Sequence, residues 1–414
     1  MNLSKELKER GFIYQTTTEN LSELLDGGSK TIYQGIDPSA NSAHAGNVVL
    51  WFLLSHLIKA GHKVIFLVGG ATGMIGDPKP DAERELLDPE TVQKNITTIK
   101  QQAENFFGEG VVEFVNNYDW FSEVKLIDFL RDTGKHFTVN ELLKRDAISK
   151  RLEGDTGLSY TEFAYPLIQG FDFLHLYQNK GCEIQVGGSD QWGNMVSGVD
   201  LIRRKTGAEA VAITTPLVVD KATGKKFGKS EGNAVWLDPM QTTPYEFYQF
   251  WLNASDESVV DYLKLFTFLS LDEIDTLKQE FETNPGNRLA QKTLAFEVTK
   301  VVHGTEAAEA ARRVSQILFG GESVSELSDL EKEMLLQTAP SSSLMSVKPV
   351  VDILVDTGLA ISKREARMFI DSNAVELQGE MVTDAASEID PIKHQEDFLI
   401  IRRGKKQIHI LKIK

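Results

Sequence analysis

The sequence predicts an α/β protein: a Rossmann-type parallel-sheet domain, then an α-helical domain, then a small α+β domain at the C-terminus. Three observations carry this expectation. A strand, a helix and a second strand follow one another between residues 31 and 70, the order that builds a parallel sheet through right-handed crossovers. From "TPYEFYQFWLNASDE" to about residue 320 the pattern is helical throughout. Beyond Val347 the charge balance changes, with eleven Lys and Arg against eleven Asp and Glu, so the whole net charge of −16 lies upstream.

"TIYQGID" (Thr31 to Asp37) is a short β-type run, "SAHAGNVVLWFLLSHLIKAG" a helix closed by Gly61, and "HKVIFLVGG" a buried strand entering glycines. Helices follow at "DPETVQKNITTIKQQAENFF" and "LIDFLRDTG". The helix "SYTEFAYPLIQGFDFLHLYQNKG" and the strand "EIQVGGSDQ" continue the alternation. The first domain is expected over residues 1–215, and a Lys-rich loop with the helical domain over 216–330. The Ser-rich "APSSSLMSVKP" marks a linker over 331–346, and the last domain spans 347–414. Ligands of parallel α/β sheets sit at the carboxyl ends of the strands, which directs attention to the loops after Asp37 and Val68.

At 414 residues and 41% hydrophobic content the chain can bury more than one core. Its longest apolar run, Val48 to Ile58, is interrupted by Ser55 and His56 and is shorter than the ~20 residues a membrane span needs. The opening residues mix both charges without an apolar signal core. With Cys182 as the single cysteine, no internal disulfide can form, and a reducing cytoplasm is expected. Eight scattered histidines and no His-Glu-x-x-His give no zinc or other protein-bound metal site. The negative field argues against indiscriminate coating of nucleic acid.

Several motifs could carry chemistry. "TGKKFGKS" ends as a phosphate-binding loop does, but Gly224 leaves three residues before Gly228 where four are required, and "EGNAVWLDP" does not continue as a helix. Lys226 and Lys229, three apart, can aim at one anion, or the stretch is a solvated turn. In "DPSANSAHAGNVV", His44, Gly46 and Asn47 open a helix whose unpaired N–H groups suit a phosphate, or the segment is a capped helix with a surface histidine. Tyr165, Gln169 and Asp172 share one helix face, started by the capping box Ser159 to Glu162, among apolar neighbours; they form a polar pocket wall or a solvent face. In the tail, Lys363, Arg364 and Arg367 sit on a helix, and Arg402, Arg403, Lys405 and Lys406 form a second basic cluster. They make a local RNA-phosphate patch or solvated surface charge.

Taken together, "YQGIDPSANSAHAGN", "LVGGATGMIGDP", "NNYDWF", "FLRDTGKHFTVN", "GGSDQWGN", "KFGKS" and "TPYEFYQFW" resemble the bacterial tyrosyl-tRNA synthetases, class I aminoacyl-tRNA synthetases, over essentially the whole chain. Asn47 stands where a second histidine is frequent, and Gln34 where a small residue is common. The resemblance implies activation of L-tyrosine with ATP, accompanied by Mg2+, and transfer to tRNA(Tyr) by a homodimer without membrane attachment. It implies that Asp172 and Tyr33 bond the phenol hydroxyl. Tyr165, Gln169 and Asp77 would hold the ammonium group, and Gln191 the carboxylate. Asp190 would hold the ribose, with Asp37 and Ser39 near the phosphates. His44, Gly46 and Asn47 would seat the nucleotide, and Lys226, Lys229 and Ser230 would form the mobile second signature. The tail resembles a small RNA-binding module first named from a small-subunit ribosomal protein. The alternative is a regulatory RNA-binding protein that keeps this fold without the chemistry.

Overall fold

The computed structural model describes residues 2–78, 86–153, 157–224, 229–230, 233–320, 322, 324, 326–394, 396–404 and 407–413. The chain divides into two compact units, one of residues 1–242 and 250–294, the other of residues 243–249 and 295–414. This grouping differs from the expected division at 215, 330 and 346.

The first unit is built on six strands: β1 (Gln15–Thr16), β2 (Thr31–Ile36), β3 (Lys63–Val68), β4 (Glu113–Asn116), β5 (Cys182–Gly188) and β6 (Val211–Thr215). Their order is β1-β6-β5-β2-β3-β4, and all pairs are parallel except β1 with β6. The near-continuous apolar run Val64 to Val68 is buried throughout, as a strand covered by helices on both faces requires. From β2 the chain first builds outward through β3 and β4, then returns to the other side with β5 and β6. A crevice therefore opens where the order reverses, beyond the carboxyl ends of β2 and β5.

The Ala45–Lys59 helix crosses from β2 to β3 and buries Trp51, whose ring meets Phe66 of β3 and Phe106 of the Pro89–Phe107 helix at 5.8 and 5.3 Å. Burying a ring of this size stabilises the layer by roughly 2–3 kcal/mol. The chain leaves this helix through Gly61 at φ +92°, a left-handed turn that a side chain would strain. On the other face, the Tyr160–Lys180 and Trp192–Thr206 helices approach closely at a glycine. A Cβ on Gly198 would lie 2.9 Å from the Phe173 ring, and Phe173 in turn packs on Tyr33 of β2 at 5.3 Å between ring centres.

In the second unit five strands pair in the order Glu380–Met381, Val375–Leu377, Phe398–Arg403, Gln407–Lys412 and Ser341–Ser343. The Val350–Asp356 and Lys363–Asp371 helices lay Val351, Leu354 and Ile370 against Leu399, Ile401 and Leu411. The α+β expectation for the tail agrees with this, but the linker expectation does not. Residues 331–346 hold most of a helix, Asp329–Thr338, opened by the reciprocal capping box of Ser328 and Glu331. They also hold the Ser341–Ser343 strand, parallel to Gln407–Lys412, and Leu344, which enters the core. A serine run at a sheet edge needs only its backbone to pair, so its composition resembles that of a linker.

Candidate active site

Tyr33, Asp37, Ser39, His44, Gly46, Asn47, Asp77, Tyr165, Gln169, Asp172, Asp190 and Gln191, distant in sequence, line one cleft of about 340 Å³ at the strand switch point. The floor of its deepest end is β2. Tyr33 is 1% exposed, and its hydroxyl has no hydrogen-bond partner among the described protein atoms. Burial beside the Asp172 carboxyl holds its phenol well above the ordinary tyrosine range.

Asp172 projects from the middle of the Tyr160–Lys180 helix, which Ser159 caps by accepting from the Glu162 N–H at 3.3 Å. It is 2% exposed. Trp120 Nε1 donates to its Oδ1 at 2.9 Å and Asn117 Nδ2 to its Oδ2 at 3.1 Å. Both donors favour the carboxylate, yet burial outweighs them and pushes the group up to about 8. Asn117 also donates to Thr72 Oγ1 at 3.1 Å and accepts from the Ala71 N–H at 2.7 Å, which locks its amide orientation.

The Tyr165 hydroxyl donates to Asp37 Oδ2 at 2.7 Å, joining the helix to the end of β2. Gly69, after β3, permits this approach, because a Cβ there would sit 2.6 Å from Asp37 Oδ1. Asp77 and Gln191 are in direct contact, Gln191 Nε2 donating to Asp77 Oδ2 at 2.9 Å, and Asn194 Nδ2 donates to Asp77 Oδ1 and to Gln191 Oε1, each at 3.1 Å. Gln34, the residue out of pattern, is buried with its Oε1 unpartnered, and Nε2 donates to the Gly35 carbonyl.

His44 caps the Ala45–Lys59 helix. Its Nδ1 accepts from the Gly46 N–H at 3.0 Å, while the Asn47 Oδ1 accepts from the His44 N–H at 3.0 Å. Asn47 thus spends its oxygen on the cap. Backbone bonds from Ala45 N–H to the Val235 carbonyl at 2.8 Å and from Leu237 N–H to the Ala43 carbonyl at 2.9 Å frame a bridge between His44 and Trp236. The chain just beyond the Lys-rich signature is therefore pinned to the histidine turn. Lys229 and Ser230 pair antiparallel with Asn233–Ala234; Lys226 lies outside the described residues.

The basic residues of the tail differ in exposure. Arg364 and Arg367 are exposed on the Lys363–Asp371 helix, and Lys363 pairs with Asp352 at 2.7 Å. Arg402, expected to face solvent, is half-buried: it pairs with Glu376 at 3.5 Å and donates to the Leu318 carbonyl. It lies on the strand face opposite Leu399 and Ile401, where it meets the Leu318 end of the Thr305–Phe319 helix. Arg403 lies over the Phe369 ring at 4.6 Å, and Lys405 and Lys406 lie outside the described residues.

Sequence reasoning gave Asn117, Trp120 and Asn194 no role. A signal was present for the first two, since "NNYDWF" begins at the carboxyl end of β4, where α/β sheets place ligand contacts. Among the described residues no group of three or more His, Cys, Asp or Glu could hold a metal ion, and no helix is long and apolar enough to cross a membrane.

Residues 26–320 match the family model of the class I tRNA synthetases for tryptophan and tyrosine. Residues 331–411 match that of the SYY-like C-terminal domain of tyrosine–tRNA ligases. The chain is similar to the tyrosine–tRNA ligase of Leuconostoc citreum, 48% identical with both chains covered in full, and to that of Streptococcus mutans, 47% identical over 99% of this chain and all of the relative. A C-terminally truncated mitochondrial tyrosyl-tRNA synthetase of Aspergillus nidulans shares the fold with a TM-score of 0.68 and 31% identity, covering 77% of this chain and 94% of its own. Fold and family match thus place the chain among the class I aminoacyl-tRNA synthetases. Within that class the chain belongs to the tyrosine–tRNA ligase family.

Proposed function

We propose that the cleft binds L-tyrosine with its phenol between Tyr33 and Asp172 and its amino-acid end toward Tyr165, Gln169, Asp77 and Gln191, and that it activates this tyrosine with ATP. The tyrosine carboxylate attacks the α-phosphorus and pyrophosphate leaves; a hydroxyl of the terminal ribose of tRNA(Tyr) then attacks the adenylate's carbonyl carbon, takes the tyrosyl group and releases AMP. The observation that carries this reading is the buried pair at the deep end: a phenol hydroxyl without a partner among the described protein atoms, beside a carboxyl kept in place by Asn117 and Trp120. A second phenol hydroxyl satisfies both, which few other amino-acid side chains can do.

His44, Gly46 and Asn47 seat the nucleotide at the helix start, with Asp190 at the ribose and Asp37 and Ser39 toward the phosphates. Catalysis is by positioning and by stabilising charge that moves onto pyrophosphate, the task of Lys226, Lys229 and Ser230. The bridge at Trp236 supports this, because it ties the chain leaving that loop to the histidine turn. Mg2+ would accompany ATP as part of the substrate and offset the charge of its phosphates; among the described residues no group of three or more His, Cys, Asp or Glu could hold a metal ion.

Arg364 and Arg367 contact tRNA phosphates, a role their exposure supports. A second copy of the chain covers the exposed apolar residues Leu126, Ile127, Val139 and Tyr160. These lie on elements around the cluster of Leu142, Ile148 and Leu167. The protein acts in the cytoplasm, a reducing compartment that suits its single cysteine, Cys182. The test is ATP–pyrophosphate exchange with each of the twenty amino acids. Exchange with tyrosine alone is expected, and exchange with none would favour the regulatory RNA-binding alternative.

A further inference from the structure

We propose that Arg145 is a positioning residue for the amino-acid end of the cleft, its guanidinium fixing the Asn194 amide that in turn holds Asp77 and Gln191. The inference rests on the reading of the cleft just given. Neither Arg145 nor Asn194 lines the cleft; they stand behind the residues that do.

Arg145 lies between the Val139–Leu142 and Asp146–Glu153 helices. Its Nη1 donates to the Gly193 carbonyl at 2.6 Å and to Asn194 Oδ1 at 3.4 Å, and its Nη2 donates to Ser197 Oγ. A guanidinium can only donate, so it accepts the oxygen side of the Asn194 amide and rejects the other. The Asn194 NH2 therefore faces away, where it donates to Asp77 Oδ1 and Gln191 Oε1 at 3.1 Å each. With its oxygen engaged, Gln191 turns its own NH2 to Asp77 Oδ2 at 2.9 Å. Each link leaves one orientation for the next. Without the first, a flipped Asn194 would set an oxygen against the Asp77 carboxylate, at the end of the cleft that must hold an ammonium and a carboxylate at fixed separation.

The guanidinium remains charged at neutral pH although burial pulls it down to about 10. Its removal does not orphan the Gly193 carbonyl, which also accepts from Ser197 Oγ at 3.0 Å. A role in folding alone is thus separable from a role in the site.

The test uses the full chain with Arg145→Gln, Arg145→Lys, Asn194→Ala and the double variant Arg145→Gln/Asn194→Ala. Tyrosine and ATP are varied separately in pyrophosphate exchange, beside thermal melts. Arg145→Gln is expected to raise KM for tyrosine by about tenfold, the scale of one hydrogen bond to a charged group, with KM for ATP unchanged. Arg145→Lys recovers part of the loss, because an ammonium can still donate to Asn194 Oδ1. The double variant is no worse than Asn194→Ala. An unchanged tyrosine KM in folded Arg145→Gln, an equal rise for both substrates, or additive losses in the double variant would each overturn the proposal. Should Arg145→Gln not fold, Asn194→Ala must show the selective rise, and its absence is equally decisive. A wild-type chain without tyrosine-dependent exchange removes the reading of the cleft itself, whereas an active wild type with an indifferent Arg145→Gln removes only Arg145.

Discussion

Tyr33→Phe separates a hydroxyl kept for a ligand from one kept for the fold. The ring is held by Phe173 at 5.3 Å and stays in place in the variant, while the deleted oxygen is buried and bonded to no described protein atom. A buried hydroxyl left unsatisfied costs the folded protein on the order of 1 kcal/mol, so its removal should leave the ligand-free protein as stable as before or more so, by up to about 1 kcal/mol. With tyrosine bound, the same hydroxyl makes a hydrogen bond between neutral groups, worth about 0.5–1.5 kcal/mol, and its loss should cost roughly two- to tenfold in kcat/KM. Phenylalanine never made that bond and should lose nothing. The preference for tyrosine over phenylalanine therefore narrows by the same factor while the melting temperature holds. The assay is amino-acid-dependent pyrophosphate exchange with each amino acid in turn, alongside thermal melts of the ligand-free protein. An unchanged preference, or a variant clearly less stable than wild type, would refute the reasoning.

Lys229→Ala should slow adenylate formation by about a hundredfold or more, ~3 kcal/mol, with little change in tyrosine affinity, because the lysine acts on charge that develops in the transition state; an equal loss of affinity in equilibrium binding would contradict its role. Asp172 keeps its proton in the folded protein up to about pH 8 but loses it near pH 4 when unfolded. Its contribution to stability is thus fully present below about pH 4 and declines as pH rises toward 8. Asp172→Asn cannot titrate, so urea unfolding of the ligand-free protein should show the variant gaining on wild type between about pH 5.5 and 8, and a flat difference would count against the buried carboxyl. Arg402→Ala should lower stability by about 1–3 kcal/mol in denaturant titrations, since it strips the Leu318 carbonyl of a donor. Arg364→Gln and Arg367→Gln should leave stability within about 0.5 kcal/mol yet weaken tRNA binding and flatten its salt dependence; the opposite pattern would exchange their roles.

The parts of the fold legible in the sequence were those with strong local signals. The helix from Tyr160 announced itself by its Ser159 cap, although the reciprocal half of the expected capping box is not among its described bonds, and by the shared face of Tyr165, Gln169 and Asp172, all three of which line the cleft. The order of β2, helix and β3 pointed to the loops that hold Asp37 and Gly69. What stayed hidden depends on pairing across the chain. Asn117 and Trp120 meet Asp172 across more than fifty residues, and nothing near any of them in sequence marks the contact. Asn194 gains its meaning from Arg145 and Asp77, each on a separate segment. The serine run at 341–343 misled for the opposite reason, because composition reports side chains while an edge strand is held by its backbone. Arg402 read as surface charge since what covers each face of a strand shows only once its neighbours are known.

The orientation of bound tyrosine tests the central claim most directly. A crystal structure of the full chain with L-tyrosine should place the phenol oxygen at about 3 Å from both Tyr33 Oη and an Asp172 carboxyl oxygen, with the ammonium and carboxylate groups at Asp77, Tyr165, Gln169 and Gln191. A tyrosine bound the other way round, its phenol at Asp77 and Gln191, or bound outside this cleft, would contradict the account.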